Sequence, residues 1–499
     1  MDNREPFCQF SRQSKKGILI IYLNAFYKAF KVFWIFLFIL IQKFSNISES
    51  QLGFIFLGIG SLLIFLFIRS FLIFRNFQFK IEEQHFILQR GILKKTSTSI
   101  PFDRIQNINF KQNIVQQFIN VFEVNIETAG SSKAEISIKA LSFNDANALK
   151  HSLSSKKFGA AEVDVSSQQK PILKISFSQL IKVSVTENHL QSFLLLIALL
   201  MGFYQQITEL FEGLGKRELL EFYIEETTSS SGANVFIMIG LGMFFLFVSV
   251  ASSMVRVFFK HFNLSVFIQS NAFKIDQGLM TKNTILLKKE KVQHITISHN
   301  PIKKKLGISF ITFKQAISGK IKKKQDKIIK IVGCKKEQVA AIKNVLFPNE
   351  NFENPLKKHP DLYYKKRLYF RIGFFLLVVN ASLYLRFEFH PIYWGNAIIL
   401  PFLIGLIHLK YQKQYYFCTN EILVIGKGSI ETHQTYLPFF KVQNITLKQS
   451  VFQVKYKVTD LIFQTASGKI RIPCLKEEDA YQLYNDTLLK VATSKQSWM

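Results

Sequence analysis

His294 and His299 are five residues apart, and a metal ion held between them would need further ligands, commonly Cys or carboxylate. Neither residue type lies between them, so no metal site is expected. The lysines of the same region suggest a different chemistry. Lys303, Lys304 and Lys305, followed by Lys320, Lys322, Lys323 and Lys324, could grip anionic lipid headgroups, each contributing about 1 kcal/mol near a charged membrane surface. The alternative is a solvated basic face. Gln106, Gln293 and Gln443 recur in matching contexts and either line a common binding groove or pair with loop backbone. No Gly-rich phosphate loop ending in Lys-Ser/Thr is found, nor a His-Glu-x-x-His helix or a nucleophile elbow. Gly213-Leu214-Gly215 and Gly240-Leu241-Gly242 lack the strand-turn-helix setting of a dinucleotide fingerprint. No enzyme constellation emerges, and no cofactor is expected. The four cysteines, Cys8, Cys334, Cys418 and Cys474, lie far apart, as incidental thiols in a reducing compartment would.

The elements that position these residues begin with greasy runs. The chain has 499 residues, 48% hydrophobic, with 52 Phe, mean hydropathy +0.15 and a formal charge of +30. Greasy and strongly basic together point to membrane segments joined to cationic soluble parts. Nucleic-acid binding would need base-stacking aromatics on a basic soluble face, whereas here they sit in runs such as Phe33-Trp34-Ile35-Phe36 and Phe244-Phe245-Leu246-Phe247. No nucleic-acid partner is expected.

A helix needs roughly 20 mostly apolar residues to cross the hydrocarbon. Six stretches approach that length and fall in three hairpins: about 20–43 with 52–74, 189–208 with 234–258, and 368–387 with 392–409. Lys28 and Lys31 place the early part of the first stretch at the interface. No small-residue cleavage site follows it, so the first span is expected to be retained. Gly58, Gly60, Gly240, Gly242, Gly373 and Gly405 are expected to permit close helix packing. No acid lies at mid-depth, which disfavours coupled transport. Lys and Arg flank the modules, whereas the connector in the middle hairpin carries Glu209, Glu212, Glu218, Glu221, Glu225 and Glu226. The positive-inside bias then places both termini and the soluble segments in the cytoplasm and the hairpin tips outside.

The soluble segments are three copies of one module. Gly91, Gly278 and Gly428 each precede an aligned glutamine by fifteen residues, Gln106, Gln293 and Gln443, and each glutamine precedes an alanine by twenty-three, Ala129, Ala316 and Ala466. Period-two alternation in segments such as Ile105-Gln106-Asn107-Ile108 predicts antiparallel strands. The glycines occupy the turn after the second strand, and a helix closes each copy at about 143–153, 335–346 and 476–491. Short strands capped by one helix suggest a small pleckstrin-homology-like barrel or sandwich. The fold class is an α+β membrane protein with six transmembrane helices in three hairpins, each followed by one such module. The divisions are 1–75 (tail and first hairpin), 76–158 (first module), 159–188 (linker), 189–258 (second hairpin), 259–348 (lysine-rich second module), 349–367 (linker), 368–410 (third hairpin) and 411–492 (third module).

Arg90-Gly91-Ile92-Leu93, Ile100-Pro101-Phe102-Asp103-Arg104-Ile105-Gln106-Asn107-Ile108 and Glu127-Thr128-Ala129-Gly130-Ser131 with Glu135-Ile136 resemble the bacterial membrane-flanked domain, a bacterial pleckstrin-homology-like family of the YdbS/YdbT kind. Arg12-Gln13-Ser14-Lys15-Lys16-Gly17-Ile18 resembles the start of its three-module members. The third copy keeps Leu437-Pro438, Val442-Gln443-Asn444-Ile445 and Thr465-Ala466-Ser467-Gly468, while the second has Lys288 where the others have Pro101 and Pro438. The resemblance implies a fold and a membrane location, with no established reaction. Two functional expectations follow. One is a scaffold at the bacterial inner membrane that binds a protein partner, anionic headgroups or further copies of itself. The other is an export, resistance or transport component whose six spans form a conduit gated by the modules.

Overall fold

The apolar runs fold as long helices and the alternating runs between them as antiparallel strands. The computed structural model describes residues 7–42, 49–128, 136–158, 170–187, 189–213, 217–219, 222, 233–269, 271–316, 328–353, 355–387, 393 and 395–496. Ala129, Lys320, Lys322, Lys323, Lys324 and much of the acidic connector lie outside them.

Three helix pairs are present: Gly17–Gln42 with Glu49–Arg75, Leu190–Gly213 with Ala233–His261, and Leu362–Phe387 with Gly395–Gln412. Among the described residues five of these helices are long and apolar enough to cross a membrane, against the expected six. The exception, Gly395–Gln412, has Asn396 near one end and Lys410 near the other, which leaves it a shorter apolar centre than the other five have. The first helix runs unbroken from Gly17, with Ile20 packed against Val121 and Ala140 of the first module. The glycines expected at helix contacts are not there. A Cβ added at Gly58, Gly60, Gly240, Gly242, Gly373 or Gly405 would meet open space. Polar groups link two of the pairs instead. Asn380 and Asn396 exchange hydrogen bonds of 3.3 and 2.7 Å, and Arg256 donates to Ser192 Oγ at 3.2 Å.

Each module is two antiparallel half-sheets. The first module has Gln78–Glu82, His85–Arg90 and Thr96–Pro101, then Ile105–Gln112, Val121–Thr128 and Ile136–Ser142. The second has Ser265–Ile268, Ala272–Gln277 and Lys282–Lys288, then Val292–His299, Ser309–Gln315 and Ile328–Cys334. The third has Tyr415–Cys418, Ile422–Gly428 and Thr432–Pro438, then Val442–Lys448, Val458–Thr465 and Gly468–Lys476. A closing helix follows each: Phe143–Phe158, Lys336–Leu346 and Glu477–Thr493. The glycine of each repeat sits at positive φ after the second strand, 126° at Gly91, 104° at Gly278 and 126° at Gly428, and a Cβ there would strike the carbonyl oxygen three residues on. Only glycine fits both constraints.

The sheets do not close within their modules. The second half-sheet of one module continues into the first half-sheet of the next, giving strand orders of seven and six across the two boundaries. Residues 173–186, part of the expected linker, are built into the second module. Leu173 pairs with Val266, and Leu180 and Val183 of the helix Phe177–Thr186 enter its core.

Cores follow the same continuity. The cluster around Phe273, Phe310 and Phe313 also takes in Phe417, Val424 and Tyr436 of the third module. The opposite face of those strands, through Tyr416, Leu423, Ile425 and Leu437, belongs to the third module's own core. Ile422-Leu423-Val424-Ile425 is buried on both faces, whereas in its counterpart His85–Arg90 burial alternates, with Phe86 and Leu88 inside and Ile87 between them half-buried.

Candidate functional site at the module junctions

The first junction joins Ile105–Gln112 to Lys282–Lys288, with Ile108 opposite Leu286 and Gln112 opposite Lys282. Just beyond it, the short helix Ile114–Phe118 starts at Asn113, whose side chain caps Gln116 N–H while Gln116 caps back. The cap aims the next residue outward. Gln117 Nε2 donates to the carbonyls of Leu279 and Met280, in the turn that opens at Gly278, at 3.2 and 3.1 Å.

The second junction joins Val292–His299 to Thr432–Pro438, with Ile295 opposite Tyr436 and His299 opposite Thr432. Its polar contacts are denser. Thr296 and Thr435 place their Oγ1 atoms 3.3 Å apart, and Thr432 Oγ1 donates to His299 O at 3.1 Å. Lys303, in the short helix Pro301–Lys305 capped by Asn300, forms a 2.7 Å ion pair with Glu431 and lies 3.9 Å above the Phe310 ring. Lys441 Nζ donates to Glu290 O at 2.7 Å, and Ser467 Oγ lies 3.1 Å from His294 Nδ1. Tyr436 packs under Phe347 and Phe352 at centroid distances of 6.5 and 5.3 Å.

Both junctions use one register. Ile108 and Ile295 each stand two residues past the aligned glutamine, and their partners Leu286 and Tyr436 each stand eight past the aligned glycine. The pairing of the following strand shifts at the glutamine in every module: between Ile105 and Asn107, Val292 and His294, and Val442 and Asn444. An extra residue there bends the strand and increases its twist.

Burial sets the electrostatics of the second junction. Desolvation, helped by Lys314 and Lys427, pushes the His294 imidazole down to about 3. Desolvation also lowers His299, beside Lys303 and Lys304, and lowers His433 against the opposing pull of Glu431. Burial and the nearby Lys291 charge bring Lys441 down to about 8. A cleft of about 450 Å³ opens here, lined in part by Lys289, Glu290, His294, Glu350 and Lys441. Among the described residues no three His, Cys, Asp or Glu side chains gather as a metal site would require.

The third hairpin is tied to its module by a buried acid. Asp460 is 2% exposed, pairs with Arg471, lies 3.5 Å from Arg367 in the helix Leu362–Phe387, and accepts Cys474 N–H at 2.8 Å. Burial alone would raise its carboxyl, but the Cys474 N–H and the two guanidinium groups outweigh it and hold the group below the usual carboxylate range.

The residues singled out in the sequence do not converge. Lys304 and Lys305 are exposed, but Lys303 is 3% exposed and committed to Glu431, so it leaves the basic face. Gln293 is buried where the third module covers it, Gln443 is exposed, and Gln106 occupies the same bend. Ala316 follows the strand Ser309–Gln315, and Ala466 lies in the turn between the last two strands. Glu431, Lys441, Thr296 and Thr435 were not singled out, because period-two alternation marks a strand without naming its neighbour.

Comparison with known proteins agrees with this architecture. Residues 21–157, 222–349 and 370–489 each match the bacterial PH domain. The chain is also similar to the UPF0699 transmembrane protein YdbT of Bacillus subtilis (strain 168), at 22% identity over 445 residues, covering 85% of this chain and 87% of that protein. With the domain matched three times over most of its length, this chain is a membrane protein that belongs to the bacterial PH domain family.

Proposed function

We propose that the chain is a non-enzymatic scaffold anchored in the bacterial inner membrane, its three modules forming one cytoplasmic platform for assembly and binding. The observation that carries this reading is strand continuation: a half-sheet of one module completes the next, twice, by the backbone pairing that also recruits extended partners to sheet edges. The Lys- and Arg-rich flanks favour the cytoplasmic side for the modules, and the apolar centre of Gly395–Gln412 supports a sixth crossing beside its partner helix. Lys304 and Lys305 are exposed and, with the lysines at 320, 322, 323 and 324 of the sequence, supply positive charge for anionic headgroups. Crosslinking the full chain in native membranes and flotation with anionic vesicles test the reading. Capture of a protein, a second copy or lipid is expected; absence of all three would sink it.

A further inference from the structure

Among the edges at which the sheets end, two have no strand partner among the described residues and are counterparts of the strands that meet at the junctions. Thr96–Pro101 ends its sheet in the first module and corresponds to Lys282–Lys288 and Thr432–Pro438, the receiving strands of the two junctions. Val442–Lys448 ends its sheet in the third module and corresponds to Ile105–Gln112 and Val292–His299, the strands that reach forward.

Exposure marks both edges as uncovered. Gln443 and Asn444 are exposed, whereas their counterparts Gln293 and His294 are 1% and 7% exposed under the third module. Leu93 is fully exposed, whereas Met280 and Ile430, at the same turn position, are 46% and 51% exposed. Beside the forward edge, Val451 and Phe452 at the start of the short helix Val451–Lys455 are 86% and 74% exposed. Long free edges with apolar neighbours recruit further strands unless something covers them.

We propose that a second copy of this chain covers them, head to tail: Val442–Lys448 of one copy pairs antiparallel with Thr96–Pro101 of the next, in the register of the two internal junctions. That register places Ile445 opposite Ser99, Thr446 opposite Thr98 and Lys448 opposite Thr96. Thr446 and Thr98 then repeat the hydroxyl pair of Thr296 and Thr435, since each stands at the same repeat position. Two surfaces of different kind meet, so the contact is heterologous, and copies confined to one membrane plane add in sequence until a ring closes. The proposal rests on the scaffold reading and names its partner.

The test is oxidative crosslinking of the full-length chain in native membranes. Thr98→Cys and Thr446→Cys, carried on separately tagged copies, are expected to form a mixed dimer, and both on one chain a ladder of higher species. Opposed like charges, Thr98→Lys with Thr446→Lys, are expected to reduce the assembled fraction several-fold, and Thr98→Lys with Thr446→Glu to restore it. Both positions lie on the free edges, so the fold is retained in each variant. A chain that stays monomeric without crosslinking overturns the proposal. So does Thr446→Cys joining to itself, which would mean a symmetric contact, or joining to a different protein, which would leave the scaffold reading standing. Loss of the scaffold reading as well would require that no lipid or protein is captured.

Discussion

Thr296 and Thr435 face each other across the seam between the second and third modules, their Oγ1 atoms 3.3 Å apart although 139 residues separate them in the chain. The helical hairpin Leu362–Phe387 and Gly395–Gln412 intervenes between them in sequence, yet one sheet carries both residues. The modules are therefore not beads on a string of hairpins.

The Lys303–Glu431 pair should be the strongest single polar contact of that seam. Removing Glu431 leaves an ammonium buried without its counter-charge, so Glu431→Gln is expected to destabilise the second junction by about 1–3 kcal/mol. Replacing both, Lys303→Met with Glu431→Gln, should cost less than the two single changes together. Hydrogen exchange of residues 295–299 and 432–436 in the reconstituted protein reads this out, and additive effects would contradict the pairing.

Acid should loosen the same seam. His294 is held neutral down to about pH 3, and His299 and His433 are lowered in the same direction, whereas the unfolded imidazoles protonate near pH 6.5. The unfolded chain therefore binds more protons below that pH, and stability falls as pH falls from about 6.5 toward 3. His294 alone is expected to account for about 2 kcal/mol at pH 5. Unfolding of wild type and His294→Gln at pH 7 and pH 5 should show a smaller pH difference in the variant.

Gly428 tests the repeat signature. Its φ of 126° and the Glu431 carbonyl oxygen 1.9 Å from an added Cβ leave no space for a side chain. Gly428→Ala is expected to cost about 2 kcal/mol or more and to shift the turn that presents Glu431. A melting temperature equal to wild type would refute this account of the glycine.

Asp460 should hold the third hairpin upright on its module. Asp460→Asn keeps the shape but weakens both charge-assisted contacts, to Arg471 and to Arg367, at an expected cost of about 1–3 kcal/mol. Faster exchange at the start of the helix Leu362–Phe387, with the second junction unchanged, is the expected signature.

Sidedness is checked by labelling. A cysteine at Glu218 in the middle hairpin should react with an impermeant thiol reagent on intact cells, and one at Lys427 should react only after lysis. The reverse pattern would invert the proposed orientation.

The sequence alone determined the repeated unit, because glycine and glutamine at fixed spacings reflect local constraints: a positive-φ turn and a bend in a strand. It determined five of the six expected membrane helices as well, since crossing a bilayer is a matter of length and local hydropathy. It did not determine which strand lies beside which. Backbone hydrogen bonding carries no side-chain label, so Ile105–Gln112 reads alike whether its free edge meets its own module or the next. The trace left in sequence was the unbroken run Ile422-Leu423-Val424-Ile425, apolar on both faces because two modules bury it. Likewise Lys303 reads as one more surface lysine until Glu431, brought from another module, stands 2.7 Å away. Tertiary structure decided the seams, the buried charges within them and which strands of the junction type stay without a partner among the described residues, because each depends on residues far apart in the chain.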